Sequence, residues 1–323
     1  MRAGGDVVYS FDLSIYVATY NHEKYIEKAL DSIFAQKTKY SFEVLVGEDC
    51  STDATRTVLK RYEKSHSEYV EAGKLNIFYR EYNMYKLGLS NSEDLKKRSK
   101  GKYIIALEGD DYWTDDRKID MQIDFLEHHP EYIAVAHNCT VVDENNLPVD
   151  ETYPECKDTE YTLIHFMNNI LPGQLTTVMY RNFYNETKTD LSLIETDLTP
   201  VDRLIYLTLI LNGKVFCIQK SMSAYRHITT HGDSFSATHK YSFTESEKFY
   251  RAIMIYMRKF SLQEKKYGEI LYFRCIMKGL KAKQCTLQHA KTAIDNMNYK
   301  WYALRMWILY KWRKDVMHKS TWM

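Results

Sequence analysis

The 323-residue sequence predicts an α/β fold built on an open sheet that starts in parallel order. Two observations carry that prediction. Between residues 13 and 80, short β-branched apolar runs alternate with amphipathic stretches of helical period. Three of the apolar runs then stop in polar clusters: ATYNHE (18–23), GEDCSTD (47–53) and EGDDYW (108–113). A third observation sets the limit of this fold. From about residue 240 the chain turns to long stretches of helical pattern rich in Tyr, Lys, Met and Trp.

Taken in order, LSIYVAT (13–19) is a buried strand. NHEKYIEKALDSIFAQ (21–36) puts Tyr25, Ile26, Ala29, Leu30, Ile33 and Phe34 on one helical face, with Asn21 opening the helix. FEVLVGE (42–48) is the second strand, and a second helix starts at Ser51 to Asp53. LNIFYR (75–80) and GKYIIALE (101–108) are the third and fourth strands. RKIDMQIDFLEHH (117–129) is a helix ending before Pro130, and YIAVAHNCTVV (132–142) is a strand. Residues 143–160 are polar and read as a loop. LTTVMY (175–180) is a strand, VDRLIYLTLILNG (201–213) a helix closed by Gly213, and KVFCI (214–218) a strand. The expected division is a domain over 1–239 and a helical, basic, aromatic-rich region over 240–323.

Net charge near zero hides an asymmetry. Residues 241–323 hold 17 Lys and Arg against 6 Asp and Glu, while the rest holds 27 against 37. A basic tail suits an anionic partner such as phosphate or a membrane surface. Within it, YKWYALRMWILYKWRKD (299–315) mixes Trp301, Trp307 and Trp312 with Lys300, Arg305, Lys311, Arg313 and Lys314. Two readings stand: a helix at a membrane interface, or a terminal helix packed on the domain or on a second subunit. The six cysteines show no CxxC pair and no zinc spacing, and the start lacks a charged leader before a long apolar run. They read as reduced thiols of a cytoplasmic protein. No apolar run approaches the roughly 20 residues of a spanning helix, so a soluble protein, or a peripheral one at the inner face of the membrane, is expected.

In open parallel sheets, ligands bind at the carboxyl ends of the strands, where the three polar clusters lie. Glu108, Asp110, Asp111, Asp115 and Asp116 crowd one such end. Carboxylates this close repel unless a cation neutralises them, and oxygen ligands suit Mg²⁺ or Mn²⁺. The other reading is helix capping, which fits Asp115 and Asp116.

In this order and spacing, VATYNHEKYIEKALDSIFAQ, FEVLVGEDCSTDATRTVL and GKYIIALEGDDYWTD resemble family 2 glycosyltransferases of the bacterial surface-glycan type. The resemblance covers residues 12–142 and continues weakly to about 235. It departs from the family pattern at Ala18 (usually proline), Cys50 (usually glycine) and Glu108 (more often aspartate). It implies a GT-A fold, a Rossmann-like mixed sheet flanked by helices, with a nucleotide-sugar half at about 12–115 and an acceptor half at about 116–239. It further implies an inverting, metal-dependent transfer from a nucleotide sugar, of UDP type, to a glycan or lipid-linked acceptor.

The roles it implies fall on named residues. Tyr20 would stack on the base, with backbone contacts from Ala18 and Thr19 and with Glu23 in the same pocket. Asp49 would accept the base imide N–H. Asp110 would touch the ribose or the metal, and Asp111 would ligate the metal. The base that deprotonates the acceptor would be Asp202, with Asp197 its competitor and helix capping the plain alternative. In AYRHITTHGDSFSA (224–237), His227 or His231 would complete the metal shell, and Arg226 would offset diphosphate charge or pair with carboxylates. Asp53 is read first as a helix start. Trp113 would wall the sugar or acceptor pocket, or pack in the core. Two rival functions stay open: a nucleotidyltransferase, which shares acidic metal ligands on a similar sheet but would want a glycine-rich basic loop after the first strand, and a non-catalytic binding or assembly module on the same fold. Nucleic acid is not an expected partner.

Overall fold

The computed structural model describes residues 8–185, 189–196, 198–228 and 240–317. They form two compact units. The first takes in Met1–Tyr161, Leu171–Thr189 and Asn212–Thr238, and the second Thr162–Ile170, Asp190–Leu211 and His239–Met323. The expected division at 239/240 thus meets an interleaved chain, because two earlier segments group with the helical tail.

In the first unit, β1 (Phe11–Thr19), β2 (Phe42–Glu48), β3 (Leu75–Tyr79) and β4 (Gly101–Glu108) run parallel in the order β3-β2-β1-β4. β5 (Tyr112–Trp113), β6 (Tyr132–Val142), β7 (Glu160–Tyr161), β8 (Met179–Arg181) and β9 (Lys214–Arg226) extend the sheet. β8 is antiparallel to both β4 and β6, whereas β9 is parallel to β6 and antiparallel to β5 and β7. The sheet is therefore mixed. Every residue of β2 is buried, as expected of a parallel strand covered on both faces.

Register places the strand ends side by side. Ala18 pairs with Gly47 on one flank and with Glu108 on the other. Beyond the strands, the Thr19 carbonyl accepts the Asp49 N–H and the Ala18 carbonyl accepts the Gly109 N–H, both at 3.0 Å. The three polar clusters are thereby tied backbone to backbone on one rim.

Among the described residues this unit holds five helices: α1 (Ile26–Phe34), α2 (Thr55–Ser65), α3 (Ser67–Glu71), α4 (Asn91–Arg98) and α5 (Lys118–His128). α1 buries Ile26, Ala29, Leu30 and Ile33, an i, i+3, i+4, i+7 stripe that packs into the main core with Val17, Val44 and Leu107. Truncating Ile26, Leu30 or Ile33 to alanine costs about 2–5 kcal/mol in such a setting.

Four sequence expectations are corrected in detail. Asn21 does not cap a helix: it lies in the left-handed region at φ 56°, and a turn over 22–25 delays α1 to Ile26. α2 likewise starts at Thr55, after the Ser51–Asp53 signal. Within 175–180, Leu175–Thr177 form a 3-10 turn pinned by Gln174 Oε1 on the Thr176 N–H at 2.6 Å, so the strand is only Met179–Arg181. β9 runs on past 218 to Arg226 through an irregular register against β6. α4 was not anticipated. Its start is capped by Ser90 Oγ on the Glu93 N–H, and acidic and basic residues occupy its first and last turns as the helix dipole favours.

The second unit is helical: α6 (Leu163–Met167), α7 (Val201–Asn212), α8 (Phe243–Met257), α9 (Leu262–Lys281), α10 (Leu287–Asp295) and α11 (Lys300–Met317). Ser242 with Glu245 and Ser261 with Glu264 form capping boxes that start α8 and α9. Glu269, fully buried in α9, accepts the Asn298 and Tyr299 N–H groups at 2.8 and 2.5 Å and pairs with Arg258 at 3.2 Å. That buried anion anchors the start of α11. α11 buries Ala303 and sets Trp307 edge-on against Phe273 of α9. Trp301, Ile308, Leu309 and Trp312 remain exposed on it. No helix among the described residues is long and apolar enough to cross a membrane.

Candidate active site

The rim begins with the turn after β1. Thr19 is buried, Tyr20 is half-buried, and Thr19 Oγ1 meets His22 Nδ1 at 3.2 Å. Asn21 Oδ1 accepts the Thr52 N–H at 2.9 Å, and the Asn21 N–H donates to Ser51 Oγ. Glu23 and Asp53 complete the clasp. The Glu23 N–H donates to Asp53 Oδ2 at 3.1 Å, and Glu23 Oε2 accepts the Ala54 N–H at 2.7 Å. Asp53 also takes the Thr55 N–H at 2.9 Å, bracing the first residue of α2 from just outside the helix. The Glu23 carboxylate serves that same helix start.

Cys50 occupies the left-handed region at φ 58°. That explains why glycine is usual there and shows that this turn is kept with a side chain in place. Next to it, Asp49 is buried. Its Oδ1 accepts the Met84 N–H at 2.7 Å, and Asn83 Nδ2 donates to its carbonyl at 3.0 Å. Burial raises the Asp49 carboxyl pKa, while the Met84 and Tyr85 N–H groups and the Arg80 charge pull it back. These loop contacts were not foreseen from the sequence, because a backbone N–H leaves no compositional mark.

The acidic turn follows β4. Carboxylate oxygens of Glu108, Asp110 and Asp111 lie within 4.8 Å of one another. Gly109 is required between them, since a Cβ there would stand 2.6 Å from Thr19 Oγ1 and 2.7 Å from His22 Nδ1. Asp110 Oδ2 is 3.8 Å from His22 Nε2, a neighbour the sequence reading did not single out. Asp111 is 1% exposed. Its Oδ1 accepts the Arg226 N–H at 2.7 Å, and its Oδ2 is buried with no hydrogen-bond partner among the described residues. Burial drives the Asp111 carboxyl pKa well up, Asp110 and Glu108 push it further, and Arg226 opposes them. A buried carboxylate oxygen without a donor, beside two more carboxylates, fits a hard divalent cation.

Asp115 and Asp116 do not join this group. Asp115 Oδ1 accepts the Arg117 N–H at 2.9 Å at the start of α5 and pairs with Lys220, while Asp116 pairs with Lys37. Trp113 is 4% exposed and lies in the main core, with Lys118 Nζ 4.2 Å from its ring centre. Of its two readings, core packing is where the ring is found. His227 Nδ1 pairs with Glu151 at 2.7 Å, and its ring stacks on Tyr225. His231 and Asp197 lie outside the described residues.

Arg226 ends β9 and is 4% exposed. Its Nε donates to the Asp110 carbonyl at 2.9 Å, Nη2 to Asn146 Oδ1 at 2.7 Å and Nη1 to the Asp143 carbonyl, and its guanidinium lies 4.1 Å from the Tyr25 ring centre. The carboxylate pairing foreseen for it is replaced by these neutral acceptors.

Asp202 belongs to the second unit, in the first turn of α7, where a helix N-terminus favours an anion. Burial raises its carboxyl pKa, opposed by backbone N–H groups and by Arg203. Behind it α7 buries every residue from Leu204 to Leu209, mostly apolar, with Thr208 among them.

Comparison with known proteins bears on this site. Residues 14–183 match the family described as glycosyl transferase family 2. An uncharacterized protein of Mycobacterium tuberculosis is 28% identical over 243 residues, which is 74% of this chain and 63% of its own length. The chain thus spans less than two thirds of that relative. The putative teichuronic acid biosynthesis glycosyltransferase TuaG of Bacillus subtilis is 31% identical over 114 residues, 35% of this chain and 41% of its own. Among solved structures, Staphylococcus aureus TarS in complex with UDP-GlcNAc superposes with a TM-score of 0.62 at 19% identity, covering 92% of this chain and 82% of that one. At that identity the likeness establishes the fold.

Proposed function

The chain belongs to glycosyl transferase family 2 and has its GT-A fold, and from that premise we propose that it is an inverting, metal-dependent glycosyltransferase. The donor is a nucleotide sugar of UDP type. The acceptor is a hydroxyl of a glycan or lipid-linked intermediate in the synthesis of a surface polysaccharide or glycoconjugate. The names of two similar proteins support the substrate classes: TarS is solved with UDP-GlcNAc, and TuaG is named for teichuronic acid biosynthesis.

One observation carries the reading: the partnerless buried Asp111 Oδ2 beside Asp110 and Glu108, on the rim where three strand ends meet. Asp111, with Asp110 and Glu108, would hold Mn²⁺ or Mg²⁺, whose charge offsets that of the departing nucleoside diphosphate. Tyr20 stacks on the base, Asp49 accepts its imide N–H, Ala18 and Thr19 contribute backbone contacts, and Glu23 lies in the same nucleotide pocket. His227 or His231 adds a contact at the metal or diphosphate. Asp202 takes the proton of the acceptor hydroxyl as its oxygen bonds to the sugar C1 and the C1–O bond to the diphosphate breaks on the opposite face. The raised Asp202 pKa supports this role, because a more basic carboxylate is a better proton acceptor.

The exposed Trp301, Ile308, Leu309 and Trp312 of α11, with Arg305 and Lys311 on the same helix, suit peripheral contact with an anionic bilayer from the cytoplasmic side. The deciding experiment is a panel of nucleotide sugars assayed for diphosphate release with Mn²⁺, Mg²⁺ or EDTA. Release from a UDP-sugar that requires the metal is expected; undiminished release in EDTA would overturn metal dependence.

A further inference from the structure

We propose that Arg226 is a positioning residue that presets the acidic turn for its cation, an inference that rests on the metal-dependent reading above. A guanidinium that is 4% exposed loses most of its hydration and must recover it from well-placed acceptors. Arg226 recovers it from three neutral ones, on Asp110, Asp143 and Asn146. These bonds run into the protein, so the donors that make them are not turned toward a diphosphate. Because the named acceptors are neutral, the guanidinium charge stays available to the Glu108, Asp110 and Asp111 carboxylates at one remove.

The geometry shows what the bonds hold. Nε fixes the Asp110 carbonyl, which sets the peptide joining Asp110 to Asp111. The Arg226 backbone N–H holds Asp111 Oδ1 at 2.7 Å, which leaves Oδ2 for the cation. Nη1 and Nη2 tie both to the turn after β6, through Asp143 and Asn146. The guanidinium carbon lies 4.1 Å from the ring centre of Tyr25, one residue before α1. β9 delivers Arg226 to this point by its parallel pairing with Val142 at the end of β6. One side chain thus cross-links three segments around the carboxylates and lowers their mutual repulsion before any cation arrives. Partners of this kind outside the ligand shell typically govern metal affinity by about 10–100-fold.

The test compares wild type with Arg226→Lys and Asn146→Ala. Lysine keeps the charge but cannot make the three bonds together, and alanine removes one anchor. Mn²⁺ binding is titrated by the electron paramagnetic resonance of free Mn²⁺, metal-free melting is recorded, and UDP-sugar turnover is followed as Mn²⁺ rises. The expected result is a Kd for Mn²⁺ raised about 10–100-fold in Arg226→Lys and a smaller rise in Asn146→Ala, with Asn146→Ala melting like wild type. Turnover should fall at low Mn²⁺ and recover at saturating Mn²⁺, a rescue that a merely structural defect would not show. An unchanged Mn²⁺ Kd in Arg226→Lys would overturn the inference. If that variant does not fold, an unchanged Kd in Asn146→Ala overturns it instead. Failure of the wild type to bind Mn²⁺ overturns the metal reading itself, and the role of Arg226 with it.

Discussion

The backbone N–H of Met84 donates to Asp49 Oδ1 at 2.7 Å across 35 residues of chain, so the loop after β3 holds the carboxylate proposed to read the base. Asp49→Asn should narrow the preference for UDP over CDP. An amide can present either a donor or an acceptor to the base, whereas the carboxylate only accepts. Calorimetric titration with both nucleotides should show UDP binding weakened by about tenfold and CDP binding unchanged or improved, a loss of roughly 1–3 kcal/mol of discrimination. Equal losses for both nucleotides would remove Asp49 from base recognition.

Asp202→Asn should lower kcat by about 10²–10⁴ while leaving UDP binding intact, as expected when a general base is removed without touching the donor pocket. Since burial raises the wild-type carboxyl pKa, the acid limb of its kcat profile should lie above the ordinary carboxylate range, with activity lost as pH falls through it. Full turnover in the variant would shift the search for the base to other carboxylates.

Mn²⁺ should stabilise the first unit, and more so as pH rises. The Asp111 pKa is raised, so without a cation the fold favours its protonated form and loses stability as pH climbs and the turn charges. A bound cation reverses that loss. At about 100 times its Kd, a ligand adds about 2.7 kcal/mol, enough for several degrees of melting temperature. Thermal melts near pH 5 and near pH 7.5 should show the larger shift at the higher pH. Equal shifts at both would mean the cation binds elsewhere.

The exchange between Glu23 and Asp53 predicts a stability effect. Asp53→Ala removes the carboxylate that accepts the Thr55 and Glu23 N–H groups and should cost about 0.5–1.5 kcal/mol in denaturant melts, with UDP affinity kept. A loss of UDP binding without a loss of stability would move Asp53 into the donor pocket.

For α11, Trp301→Ala with Trp312→Ala should reduce cosedimentation with vesicles of phosphatidylglycerol by more than about tenfold, and added salt should weaken wild-type binding. Transfer to a soluble acceptor should be unchanged. Wild type that ignores such vesicles would leave the packing role as the whole function of this helix.

Much of this was legible in the sequence wherever a physical pattern is local. β2 and β4 begin and end as read, because buried parallel strands are unbroken apolar runs that stop where polar rim residues begin. The rim itself followed from that rule, and the Ala18, Gly47 and Glu108 register places the clusters together. Asn21 misled because asparagine suits both a helix cap and a left-handed turn. α4 escaped because Leu95 is its lone apolar residue. The far half of β9 escaped because Gln219, Lys220 and Ser221 interrupt it with exposed polar side chains. Arg226 and Met84 meet the acidic turn and Asp49 from segments distant in sequence, Met84 by its backbone N–H alone, and no spacing rule reveals such contacts.

The interleaved chain has a consequence for biosynthesis. Residues 162–170 and 190–211 leave the ribosome well before 239–323, the segment with which they form the second unit. Until those later helices emerge, the mostly apolar stretch of α7, from Leu204 to Leu209, has no finished shelter, and Asp202 rides on it. A chain cut after residue 239 would therefore carry the acidic turn and its sheet complete, yet strand the proposed proton acceptor on a helix with an unmade core. Such a fragment should still capture nucleotide while clinging to chaperones.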